Sequence, residues 1–344
     1  MFKRILVPLD GSIRAEQAIP LAARLAQASG GSVLLLRVVT TPIEFGPYLR
    51  QSVLMREVVD ADIAHAAKYL SNVARSDDLR GTETRVAVFT GSEALTIIET
   101  ARDQHIDLIL LTSHGDTGFK RWALGSVAQK VARHSPVPVL VLREGEIVPS
   151  HPYPDATRPL HAMSAVVALD GSALSEAALF PAAQLVAALA APAQGSLHLT
   201  RVVPRPGVDA LLSGRDRMDL LQRDRALEEA MSYVSKRADD LQNRLEAALN
   251  LAITWSVAVD VDVAEALIRV AEQGRADAGA CVVGGCDLLA LATHGRHGLR
   301  RWMLGSVTER ILGATKLPLL IVRPLQEDQT SATSKPIAEK TATS

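Results

Sequence analysis

Aromatic residues make up only 3% of this 344-residue chain, and cysteine occurs twice. Two cysteines, Cys281 and Cys286, are too few for a disulfide-stapled scaffold. A net charge of −1 leaves no basic excess to steer the molecule toward nucleic acid or an anionic membrane. No Walker A pattern G-x4-G-K-S/T occurs, and no G-x-G-x-x-G follows the first expected strand. Neither a P-loop NTPase nor a dinucleotide dehydrogenase therefore fits. The start, Met1-Phe2-Lys3-Arg4-Ile5-Leu6-Val7-Pro8, enters a strand at once and lacks the layout of a signal peptide. The most apolar stretch, Ala177 to Ala193, is broken by Pro181, Gln184 and Pro192 and is short for a membrane span. It reads as a buried helix, and a cytoplasmic location is expected.

What is present is repetition. Ile5-Leu6-Val7-Pro8-Leu9-Asp10-Gly11-Ser12 returns as Val166-Val167-Ala168-Leu169-Asp170-Gly171-Ser172, and Leu35-Leu36-Arg37-Val38-Val39 returns as Leu199-Thr200-Arg201-Val202-Val203. The longest match runs from Ser113-His114-Gly115 to Gly125-Ser126-Val127 and recurs from Thr293-His294-Gly295 to Gly305-Ser306-Val307. Block order is kept while the offset grows from 160 to 180 residues, part of the excess lying in Gly279 to Cys286. Such a pattern is that of a duplicated domain.

Each copy alternates five expected strands with helices. In the first copy the strands are about 4–9, 33–39, 84–89, 107–112 and 138–143; the helices are Ala15 to Ala28, about Arg50 to Ser76, Ser92 to Gln104 and Ser126 to His134. Short Val/Ile/Leu strands without polar alternation imply burial on both faces, and strand–helix alternation implies a parallel, doubly wound sheet. A ligand then belongs at the carboxyl ends of the strands. The expected layout is a first domain at 1–144, a Pro-rich linker at 145–162, a second domain at 163–325 and a Ser/Thr-rich disordered tail at 326–344. The charged stretch from Gly214 to Asn250 carries interleaved apolar residues and reads as a long amphipathic helix with a solvated face.

The chemistry sits after the fourth strand, where His114-Gly115, nine residues and Gly125-Ser126 lead into a helix, and His294-Gly295, nine residues and Gly305-Ser306 do the same. Glycine lets main-chain N–H groups approach an anion and adopt positive φ, and a helix start supplies unpaired N–H groups. Gly115, Gly125, Ser126 and Val127 would line one phosphate pocket, and Gly295, Gly305, Ser306 and Val307 the other; Gly118 and Gly298 lie within the spacers. Asp10 and Asp170 end the first strand of each copy. Each fits either an acceptor for an adenine amino group or ribose hydroxyl, or a helix cap, and the two roles are compatible.

Together these residues resemble the universal stress protein family, whose ATP-binding members carry G-x2-G-x9-G-S/T after the fourth strand. Here Thr112 and Ala292 replace the first glycine, and the rest of the motif stands. The resemblance implies two five-stranded sheets of the adenine nucleotide α-hydrolase-like type, ordered 3-2-1-4-5. It implies adenine near Leu9, Asp10 and Val38, and near Leu169, Asp170 and Val202, with the triphosphate on the glycine loops. It further implies pairing through the fifth strands, marked by Leu140 and Leu320, within the chain or in a homodimer. Thr308 in place of Ala128 offers an extra hydroxyl, so the second copy is expected to hold phosphate better.

Other candidates carry less. Cys281, Cys286, His294 and His297 lack zinc spacing and have no cysteine counterpart in the first copy. His114 and His294 orient the loop, or act on phosphate; Trp122 and Trp302 pack against a helix, or stack on adenine; Arg121 and Arg301 reach a terminal phosphate or face water. Three functions stay open: an ATP-dependent stress sensor acting on a regulatory protein partner, a slow ATPase using Mg²⁺ or Mn²⁺, and a nucleotide-free interaction module.

Overall fold

The computed structural model describes residues 1–40, 53–113, 124–143, 163–205, 216–245, 249–274, 276–279, 285–293 and 305–324. The expected linker 145–162 and tail 326–344 lie outside them. In the first copy β1 (Arg4–Pro8) leads to α1 (Ile13–Glu16), α2 (Ile19–Ser29), β2 (Ser32–Val39), α3 (Val53–Val73) and β3 (Glu83–Thr90). Then come α4 (Glu93–Asp103), β4 (Leu108–Thr112), α5 (Ser126–His134) and β5 (Val139–Leu142). The second copy contains β6 (Ser164–Leu169), α6 (Ala173–Glu176), α7 (Leu179–Ala190), β7 (Gly195–Pro204), α8 (Asp216–Leu245) and β8 (Leu251–Asp260). It ends with α9 (Val263–Gln273), β9 (Ala278–Gly279), β10 (Leu288–Ala292), α10 (Ser306–Ala314) and β11 (Leu319–Val322).

The strands of both copies join in one sheet, ordered β3-β2-β1-β4-β5-β11-β10-β6-β7-β8-β9. Each half keeps the 3-2-1-4-5 order with parallel pairing. At the seam β5 and β11 run antiparallel, with Leu140 opposite Leu320, Val141 opposite Leu319 and Val139 opposite Ile321. The two five-stranded sheets are thus continuous rather than separate. A two-residue β9, at the start of the second copy's insertion, adds an antiparallel edge to β8. One expectation fails at the other edge: β3 is not buried on both faces, and Val86 and Phe89 are exposed, β3 being the edge strand among the described residues.

The helix expected over Ala15 to Ala28 is broken at Gln17–Ala18, with Pro20 in the first turn of α2. Proline has no N–H, and its ring clashes with the carbonyl four residues earlier, so the helix must restart just before it. Pro181 breaks α6 from α7 at the same place in the second copy. The apolar stretch around α7 is long enough for a span by composition, yet Ala182, Ala183, Leu185 and Val186 are fully buried in the core. Along α8 the buried residues Ala230, Val234, Ala238, Leu241 and Leu245 follow helical spacing and face the sheet, while Asp224, Arg225, Glu228 and Glu229 are exposed.

The copies also meet above and below the seam. On one side α2 packs on α7, and Arg24 donates to the Leu189 carbonyl. On the other side Arg133 pairs with Glu309 at 3.7 Å, Arg143 donates to the Leu312 carbonyl, and Arg323 Nη1 donates to the His134 carbonyl at 3.3 Å. The last two arginines each reach across to the closing turn of the other copy's final helix, where free carbonyls favour a cation.

Candidate functional site

At the end of β1 the chain turns through Gly11, whose φ of +86° suits glycine; Gly171 has φ +88°. Asp10 Oδ1 accepts from the Ser12 N–H at 3.0 Å and the Ser12 hydroxyl at 2.6 Å. Ser12 Oγ in turn accepts from Ala15 N at 3.1 Å. Ser12, not Asp10, is therefore the cap of α1, and Asp10 holds the cap in place. Asp170, Ser172 and Ser175 repeat the arrangement at 2.9, 2.6 and 3.3 Å.

After β4, loop residues 114–123 lie outside the described residues, so Gly115, Gly118, His114, Arg121 and Trp122 are not placed. The same holds for Gly295, Gly298, His294, His297, Arg301, Trp302 and Cys281. The chain is described again where it returns to the strand: Gly125 N donates to Ser113 O at 2.7 Å, and Gly305 N to Thr293 O at 2.9 Å. The φ values are −59° and −60°, so these glycines do not adopt the positive φ expected of them. At Gly305 close approach explains the glycine instead, since a Cβ there would lie 3.1 Å from the Thr293 carbonyl. Helices α5 and α10 begin at Ser126 and Ser306, and neither has a side-chain cap, leaving the first-turn N–H groups without one.

A cleft of about 320 Å³ opens between these elements in the first copy. Of the residues selected from the sequence, Leu9, Asp10, Val38, Gly125, Ser126 and Val127 all line it. Arg37, Glu93, Thr112 and Ser113 line it as well. Arg37 was not singled out from the sequence, although it stands in a repeated block as a charge within an apolar strand. Glu93 carries no repeat signal, since Val263 occupies its place in the second copy.

Beside the cleft the Arg37 guanidinium donates to the Leu9 carbonyl at 3.3 Å. Tyr69 donates to Glu16 at 2.8 Å, and burial, reinforced by that carboxylate, pushes its phenol well above the ordinary range. The pair returns as Tyr233 and Glu176 at 2.8 Å, with Arg201 5.5 Å over the Tyr233 ring. Tyr69→Phe is expected to cost about 1 kcal/mol by leaving Glu16 without this donor, read as a lower urea midpoint at unchanged slope.

A model of the universal stress protein family matches residues 1–143 and 163–323. This chain belongs to that family. Curated universal stress proteins match one half at a time. One from Thermus aquaticus is 32% identical over 145 residues, covering 42% of this chain and all of the relative. Universal stress protein YxiE of Bacillus subtilis is 29% identical over 148 residues, with the same 42% and full coverage. Among solved structures, a universal stress protein from Archaeoglobus fulgidus superposes with a TM-score of 0.53 at 17% identity, covering 93% of this chain and 96% of its own. A putative universal stress protein from Pseudomonas aeruginosa gives 0.51 at 17% identity, covering 94% of each chain. Both likenesses are likenesses of fold.

The second universal stress protein copy differs at the start of its last helix. Leu169, Asp170 and Val202 occupy the equivalent strand ends, and Gly305, Ser306 and Val307 the helix start. The Thr308 hydroxyl, expected to face phosphate, is buried and donates to the Ala292 carbonyl at 3.1 Å. The candidate metal ligand Cys286 is buried too, and burial pushes its thiol up to about 12, away from the thiolate a metal requires.

Proposed function

We propose that this universal stress protein binds an adenine nucleotide, ATP, at the carboxyl ends of β1, β2 and β4, and works as a nucleotide-dependent stress sensor and regulator. One observation carries the reading: a single cleft joins the Leu9–Asp10 turn and Val38 to the uncapped start of α5. Apolar Leu9 and Val38 suit a base, the Asp10 carboxylate suits its amino group or a ribose hydroxyl, and the N–H groups of Ser126 and Val127 suit phosphate. A Mg²⁺ or Mn²⁺ ion would enter as the nucleotide's counter-ion, with Asp10 and Glu93 the carboxylates on hand. The functional units are the domains at 1–144 and 163–325, and the bound nucleotide sets the surface offered to a protein partner.

Gly125→Val tests the site. The backbone dihedrals there, φ −59° and ψ 153°, are allowed for valine, whose branched side chain would cover the phosphate donors; circular dichroism checks that the variant folds before binding is read. ATP affinity measured by calorimetry should fall at least about 100-fold, the scale of losing two charge-assisted hydrogen bonds. Extending the change to Gly305→Val covers the second copy. Undiminished ATP retention by a folded Gly125→Val, Gly305→Val chain would refute the assignment.

A further inference from the structure

We infer that the two copies are unequal, so that the first holds nucleotide while the second is strapped shut by its own side chains; this rests on the site reading above. In the first copy the cleft passes between the starting turns of α4 and α5: Glu93 and Ile97 stand on one side, Ser126 to Ala128 on the other. In the second copy the equivalent gap lies between α9 and α10, which pack on one another as α4 and α5 do. There Arg310 of α10 donates to Asp262, the cap of α9, across that gap. Asp262 also accepts from Ala264 N at 3.0 Å and Glu265 N at 3.2 Å, so it is fixed to the helix it caps.

Position decides what the strap covers. Arg310 stands one turn after Ser306, and helical side chains lean back toward the N-terminus. Its guanidinium therefore leans toward the first turn of α10, at the outer rim of the gap, and its charge is already matched by Asp262. Behind it, Thr308 fills with a buried threonine the place where Ala128 lines the open cleft. A neighbouring carboxylate, Asp260, is held by Arg269 at 2.8 Å, a second ion pair at the same rim. At the matching positions the first copy has Thr90, Ser92 and Lys130, which cannot form the strap, and Ser92 makes no side-chain cap.

The experiment is a count of ATP bound per chain, by equilibrium dialysis with labelled MgATP at saturation, in the full-length protein. Wild type should bind one, and Gly125→Val should bind none. A second ATP should appear when the strap is replaced by first-copy residues, Asp262→Ser, Arg310→Lys and Thr308→Ala together. Because Thr308→Ala removes a buried hydrogen bond, the reverse graft is made as well: Ser92→Asp, Ala128→Thr and Lys130→Arg should weaken the first site at least about tenfold. Two ATP per wild-type chain, or one ATP that survives Gly125→Val, overturns the inequality while leaving nucleotide binding intact. A folded strap-replacement chain that still binds one, together with an ineffective reverse graft, overturns the strap. No ATP on wild type removes the nucleotide site itself, and the inequality with it.

Discussion

Leu140→Asp is expected to abolish cooperative folding of the whole chain, although one residue on one strand is changed. Leu140 and its partner Leu320 are fully buried and directly opposed where β5 meets β11. Truncation alone, Leu140→Ala, should cost about 2–5 kcal/mol from lost transfer energy and the cavity left behind. An unpaired carboxylate in the same place adds several kcal/mol of desolvation, against a total stability of about 5–15 kcal/mol for a typical domain. Because the strand is shared, the loss strikes both halves. Urea unfolding followed by circular dichroism checks this: Leu140→Ala should lower the midpoint, and Leu140→Asp should leave little folded protein without denaturant. Leu320→Ala should match Leu140→Ala, and the double variant should cost less than the sum, since the two residues fill one space. A Leu140→Ala chain that unfolds like wild type would show the seam to be mere contact.

The second large effect is on pH. His198 is buried on β7, the third strand from the sheet's edge, with Nδ1 2.8 Å from Thr254 Oγ1 and Nε2 2.7 Å from Ser256 Oγ. Thr200 extends the chain of hydroxyls, 3.2 Å from Ser256. Neutral imidazole can donate from one nitrogen and accept at the other, which two hydroxyls satisfy; imidazolium would bring a buried charge with no carboxylate in this network. Burial accordingly lowers the His198 pKa from 6.5 to about 4. The unfolded chain then binds more protons than the native one between about pH 6.5 and about pH 4. Stability is complete above that window and falls as pH drops through it. Integrating the difference from about pH 7.5 to about pH 5 gives a loss of about 2 kcal/mol. His198→Gln, which cannot take up the proton, should cost stability at neutral pH but lose about 2 kcal/mol less on acidification. Parallel losses in the two proteins would show that other groups set the acid response.

Much of this was written plainly in the residues. The duplication, the alternating elements and the helix starts at Ser126 and Ser306 follow from repeat and periodicity. The breaks at Gln17–Ala18 and Ala177–Ala178 were also legible, because Pro20 and Pro181 cannot sit mid-helix, though a continuous helix was expected over them. Backbone dihedrals were harder. A Gly-Ser pair signals a turn without saying which glycine needs positive φ, and that glycine proved to be Gly11 rather than Gly125. Hydroxyls are ambiguous for the same reason: Thr308 reads as a phosphate contact until the Ala292 carbonyl is seen beside it. Arg37 escaped notice because the pattern of a buried strand gives no hint of where a long side chain lands. The bridge between Asp262 and Arg310 joins residues 48 apart, and no local pattern announces it.

The antiparallel joint has an evolutionary corollary. Two identical subunits meeting along such a strand must carry every substitution twice, so neither subunit's strand ends and loops can change without the other's. Tying the subunits into one polypeptide frees each half to drift alone, and replaces a concentration-dependent encounter with a permanent one. Differences such as Asp262 against Ser92 and Thr308 against Ala128 can accumulate only in a chain so fused.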